Sequence, residues 1–203
     1  MARTEKADPQ VISKNIRMAA ILSLMVAAPA AAQSELETGF EGALAACREW
    51  INNPASWQKG PQGFMDVMGM GDRLVPIREV IPPALPPESL RVANAFWRIK
   101  ATDSAGYVLV VSGKIPMCHI TGGGNADLQP AIEAVLASPR FTETWEPAED
   151  LSNENLASTM FQDRQEPAFT IVITRALGPG ERQDRTQLIA TAVFNPEKAA
   201  RGN

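Results

Sequence analysis

The sequence predicts an α+β domain, a mainly antiparallel sheet of about five strands with two main helices, preceded by a cleaved signal peptide. Three observations predict it. Runs of β-branched and aromatic residues come in groups instead of alternating strictly with helical segments. Two stretches place apolar residues at three- and four-residue steps. A short apolar run behind basic residues opens the chain.

That opening run sets the domain organisation. Lys14 and Arg17 precede an apolar segment from Met18 to Ala32, which closes on Pro29-Ala30-Ala31-Ala32. A positive flank, an apolar core and a small-residue end describe a secretory signal peptide, with cleavage after Ala32 leaving Gln33 first. A membrane span is the alternative, but this run of 15 residues falls short of the roughly 20 that cross hydrocarbon. No cysteine follows the cleavage site to carry a lipid. Glu5 and Asp8 interrupt the positive flank, so Met18 offers an alternative start. The reading is a signal peptide at 1–32, one domain at 33–195 and a frayed tail at 196–203. The expected location is periplasmic or secreted, with membrane contact only through the signal peptide.

Composition narrows the function classes. Of 203 residues, 45% are apolar and 21% charged, ordinary for a globular protein. The net charge is −4. Removing 1–32 takes away four basic and two acidic residues from 19 and 23, leaving 15 against 21, a net −6. An acidic chain without a basic run argues against nucleic acid as partner. The two cysteines, Cys47 and Cys118, read in an exported protein as a disulfide.

In the mature chain, Ser34-Glu35-Leu36-Glu37 and Thr38-Gly39-Phe40-Glu41 are successive capping-box patterns. Leu36, Phe40, Ala43, Leu44, Cys47 and Ile51 then form one apolar helical face, stopped by Asn52-Asn53-Pro54. From Pro54 to Pro87, seven prolines in 34 residues break every period. The expectation there is an irregular segment with short helical turns near Met65 and Ile77. Met65, Met68 and Met70 read as anchors onto the core rather than as a soft-metal surface. Ala93 to Ala101 alternates as a strand, and Tyr107 to Val111 reads as a strand buried on both faces.

The centre of the chain follows. Ser112-Gly113-Lys114 marks a hairpin turn into a strand from Ile115 to Thr121. Alternation there puts Cys118 and Ile120 on one face, Met117 and His119 on the other. Gly122-Gly123-Gly124 reads as a sharp bend, and Asp127 as the cap of a helix carrying Pro130, Ile132, Val135 and Leu136. Phe141 to Pro167, acidic and polar, is expected to be a solvated, partly helical connection. Phe169 to Arg175 and Gln187 to Phe194 make the last strand pair around Gly178-Pro179-Gly180. No internal repeat is visible.

The candidate chemistry is sparse. His119, the single histidine, is the one candidate for catalysis. With the amides of Gly122, Gly123, Gly124 and the helix start as an anion or oxyanion site, it defines a small hydrolase or transferase as the alternative function. A second candidate is the sheet face opposite Cys118, where Arg98, Lys100, His119, Thr170, Thr174, Gln187 and Thr191 are expected together as a binding surface. One histidine and no paired cysteine motif leave no metal centre, and no cofactor is expected. The first reading is therefore a non-catalytic binding or interaction domain of the bacterial envelope. Its partner is a small molecule or an envelope protein.

Overall fold

The computed structural model describes residues 27–177 and 186–195. Most of the expected signal peptide (1–26), the loop with Gly178-Pro179-Gly180 and the tail from Pro196 lie outside the described residues. Helix α1 (Ala27–Asn52) buries the stripe read from its spacing: Leu36, Phe40, Ala43, Leu44, Cys47 and Ile51 are all at most 8% exposed. Because α1 begins before both capping boxes, neither starts it. Thr38 Oγ1 instead donates to the Ser34 carbonyl inside the helix.

The proline-rich stretch holds more order than its composition suggests. Helix α2 (Pro61–Met68) opens with proline at its first position and ends at Gly69, whose φ of 60° suits a residue without Cβ. It buries Phe64 between Trp50 and Trp97, at ring distances of 5.1 and 5.2 Å. Met65, Met68 and Met70 lie partly buried against the same core. Strand β1 (Leu74–Ile77) occupies the place of the expected turn near Ile77. Pro76 is tolerated there because β1 is the outermost strand, where a missing N–H deprives no neighbour.

After β1 come β2 (Asn94–Lys100), β3 (Ala105–Ser112) and β4 (Met117–Gly124). Leu109, Val110 and Val111 are fully buried, as a two-faced core strand requires. Helices α3 (Gln129–Ala137) and α4 (Pro139–Thr144) lead to β5 (Trp145–Asp150), β6 (Leu156–Asp163), β7 (Phe169–Ala176) and β8 (Leu188–Phe194). The eight strands form one sheet in the order β1-β2-β3-β4-β8-β7-β6-β5, with every neighbouring pair antiparallel.

The expected α+β class and antiparallel sheet are present, but with eight strands and four helices in place of about five and two. Besides β1, the additional strands are β5 and β6, in the acidic stretch expected to be a solvated, partly helical connection, whose helical part is α4. Few residues of β5 and β6 are buried. Trp145, at 5% exposed, and Asp163, fully buried, sit opposite one another in register. The intervening residues of β5 are polar because they face water at an edge.

Helices α1 and α3 lie side by side on one face of the sheet, called inner below. Cys47 of α1 and Cys118 of β4 are at disulfide distance, with Cα atoms 5.5 Å apart and sulfurs facing one another. Tyr107 Oη donates to the Leu36 carbonyl at 2.9 Å, and burial pushes this phenol well above its ordinary pKa. Arg48 Nε reaches the buried Asp163 Oδ2 at 2.8 Å. Oδ1 of the same carboxylate accepts the Gln165 and Glu166 amides. Asp163 thus fixes the β6–β7 turn and ties it to α1.

Two stability outcomes follow. Replacing both cysteines by alanine should lower unfolding free energy by about 4 kcal/mol, since the bond closes a long loop in the unfolded chain. Urea unfolding of the double variant against the oxidised protein measures it. Asp163→Ala should cost about 3 kcal/mol, because it strips both a buried charge partner and the acceptor of two backbone amides. Asp163→Asn, which keeps an acceptor for those amides, should cost less in the same experiment.

Candidate functional site

The face away from α1 is built by register. One row across it runs Val75, Arg98, Val108, Thr121, Ile189 and Thr174. The next row runs Ile77, Phe96, Val110, His119, Thr191 and Val172. Met117, Val193 and Thr170 form a third. Six of the seven residues expected on this face therefore share it. Gln187 does not: it sits just before β8 and turns to the inner side. There its Oε1 accepts the Leu128 amide at 2.9 Å and its Nε2 donates to the Ala126 carbonyl at 2.8 Å.

That placement of Gln187 bears on the helix start. The Leu128 amide is taken by Gln187, and the Gln129 amide by Asp127 Oδ1 at 3.0 Å. Leu128, not Asp127, is the residue at the cap position. Gly122, Gly123 and Gly124 form no bend. They are the last three residues of β4, paired with Tyr107, Gly106 and Ala105. Their want of side chains serves close approach. A Cβ on Gly122 would stand 2.9 Å from Leu128 and the Tyr107 ring, and Gly124 has a φ of 127°. The glycines thus lie in a strand, and the Leu128 and Gln129 amides already have acceptors, so the bend on which an oxyanion site was expected is not formed.

His119 is 2% exposed. Its Nδ1 lies 2.8 Å from Thr191 Oγ1, and its Nε2 is buried with no partner among the described residues. Its neighbours across the strands are Val110 and Thr191, and Cys118 points to the opposite face with its sulfur in the disulfide. Among the described residues no carboxylate hydrogen-bonds the ring to orient it as a base. Burial lowers its pKa to about 4, so the ring is neutral at pH 7.

A groove lies higher on the same face. A strap formed by the chain after β1 rises over the sheet, and Ala84 within it is buried. Between strap and sheet is a cavity of about 580 Å³, walled by Ile77 at the end of β1 and by Glu79, Val80 and Ile81 of the strap. Its floor is made by Arg98 and Lys100 of β2, Gly106 and Val108 of β3, and Thr121 and Gly123 of β4. Arg98, Lys100 and the glycines, all read from sequence, thus meet in one cavity. His119, one residue pair further along β4, does not line it. The strap wall was missed in the sequence because prolines hide its pattern. The signal available was Val80-Ile81, an apolar pair directly before Pro82-Pro83.

Among the described residues, the ion pairs use Arg48, Arg140, Arg164 and Arg175, so Arg98 and Lys100 belong to none. No family model, curated protein or solved structure matches this chain.

The buried histidine has a pH signature. In the unfolded chain its pKa returns to about 6.5, so below that value the unfolded state binds the extra proton and the folded state does not. The stabilisation is complete above pH 6.5 and is lost as pH falls toward 4. Between pH 7 and pH 5 the loss should be about 2 kcal/mol. Urea unfolding across that range should show it, and His119→Gln should remove most of it.

Proposed function

We propose that this chain is an exported, non-catalytic binding domain of the bacterial cell envelope that holds a small molecule in the groove between strap and sheet. The observation that carries this reading is the cavity of about 580 Å³, within the range of roughly 300–1,000 Å³ common for ligand sites. Two cations on its floor have no ion-pair partner among the described residues. The enclosed His119 and the tied Cys118 offer no nucleophile and base together, which favours binding over the hydrolase or transferase alternative.

Export is supported by the signal-peptide pattern and by a buried cysteine pair at disulfide distance. The described part of α1 runs through the expected cleavage site, and Ala31 and Gln33 are exposed on either side of it.

Two measurements test this reading. Protein recovered from a periplasmic extract should begin at Gln33 on N-terminal sequencing; recovery only of an uncut chain from cytosol would overturn export. A thermal-shift screen of the purified protein against anions, sugars, lipids and metals should find a class that raises Tm. Val108→Trp, which fills the groove floor, should abolish that shift, and His119→Gln should leave it. A shift lost in His119→Gln and kept in Val108→Trp would move the site away from the groove.

A further inference from the structure

We infer that the groove takes a small amphiphilic anion, with a single acidic head group at Arg98 and Lys100 and an aliphatic body along the strap. This deepens the binding reading above and rests on the groove being the ligand site.

The head-group position follows from β2. Arg98 and Lys100 are two apart on one strand, so both project to the groove side. Both are exposed, and neither is held by a carboxylate or a side-chain hydrogen bond among the described residues. The row through Lys100 continues as Gly106 and Gly123. The floor beside the cations is therefore bare backbone, and a head group can lie flat against it. Gly106 is fixed as glycine by the fold itself, since a Cβ there would stand 2.6 Å from the Ile99 carbonyl oxygen.

The body position follows from the strap. Val80 and Ile81 face the cavity with Ile77, and Val108 lies across from them on the floor. Ile81 is 67% exposed although it lines the cavity, so a ligand chain would cover apolar surface that the protein leaves in water.

The charge of the head follows from the remaining walls. Glu79 and Asp103 also line the groove, so its walls carry as many carboxylates as cations. A polyphosphate or sulfated sugar would have to be placed among these carboxylates, whereas a monoanion needs only one contact with Arg98 and Lys100.

The test uses octanoate, octylammonium and inorganic phosphate with the purified protein, read by calorimetry and by backbone amide chemical shifts. Octanoate should bind saturably, with shifts centred on residues 98–108 and 121–124. Octylammonium and phosphate should bind at least about ten-fold more weakly, as loss of one charge-assisted contact implies. The double variant Arg98→Gln, Lys100→Gln, both at exposed positions, should weaken octanoate by about ten-fold or more. Val108→Trp should abolish binding, and where that variant fails to fold the shift map alone locates the site. Equal binding of octanoate and octylammonium in the groove overturns the anion and leaves the binding domain standing. Octanoate binding with shifts elsewhere, or unmoved by the double variant, also overturns it. No saturable binding of any probe in the groove removes the anion inference, and a ligand found there in the wider screen would still uphold the general reading.

Discussion

The structure depends on one crossing, where α1 passes over β4 and Cys47 meets Cys118. β4 is an inner strand, paired on one side with β3 and on the other with β8. Fixing α1 to it fixes the helix against the middle of the sheet. Both cysteines are at most 1% exposed, so the link lies inside the core, not on its rim. Close by, Phe40 stacks on Tyr107 at 5.7 Å and the Tyr107 hydroxyl holds the Leu36 carbonyl. The covalent tie, the aromatic contact and the hydrogen bond all locate the same helix on the same strands. A buried hydroxyl with a partner adds specificity to a contact that apolar area alone leaves free to slide.

Around that crossing the chain is arranged twice over. A helix followed by a four-strand antiparallel meander occurs first as α1 with β1–β4, then as α3 with β5–β8. The two meanders meet at the β4–β8 seam, which runs antiparallel, so the strand order reads the same from either edge. The seam is also where long-range order must be established, because within each meander every strand pairs with its neighbour in sequence. Side chains reinforce it from the helix side. Arg48 of the first half holds Asp163 of the second, and α1 lies along α3.

How much of this was legible depends on where the pattern was one-sided. The strands at Tyr107–Val111, Phe169–Arg175 and Gln187–Phe194 were readable because both their faces, or the whole of one, are buried. β5 was not, because after Trp145 its residues face water and it carries Glu146, Pro147, Glu149 and Asp150. β1 was hidden by Pro76, whose cost vanishes only at a sheet edge, and edges cannot be assigned before strand order is known. The doubled architecture was invisible because it repeats element order and not residue type. At the site, alternation placed Arg98, Lys100 and His119 on the right face. It failed for Gln187, which precedes β8 and answers to the amide of Leu128 instead of to the pleat. The glycine triplet was noticed for the wrong property. Its use is close approach within a ladder, which looks like a bend in one dimension.

The two faces of the sheet explain where binding can reside. The inner face is occupied by α1, α3, the disulfide and two aromatic clusters, and a small cleft of about 110 Å³ lies beside α4. The edges are closed to strand addition: β1 is short with a proline, and β5 carries a proline, a register shift and three acids. The outer face is covered unevenly. Val110, Met117 and His119 on it are buried, yet Ile189 and Val193, one strand further, are 38% and 37% exposed. Coverage fades between β4 and β8, and the groove opens under the strap on the covered side of that line. A ligand there gains enclosure without asking the core to move, because its floor is strand backbone held from beneath by Tyr107 and Leu128. Gly122 lets those two side chains press close from below, and the next residue, Gly123, belongs with Gly106 to the row that leaves space above.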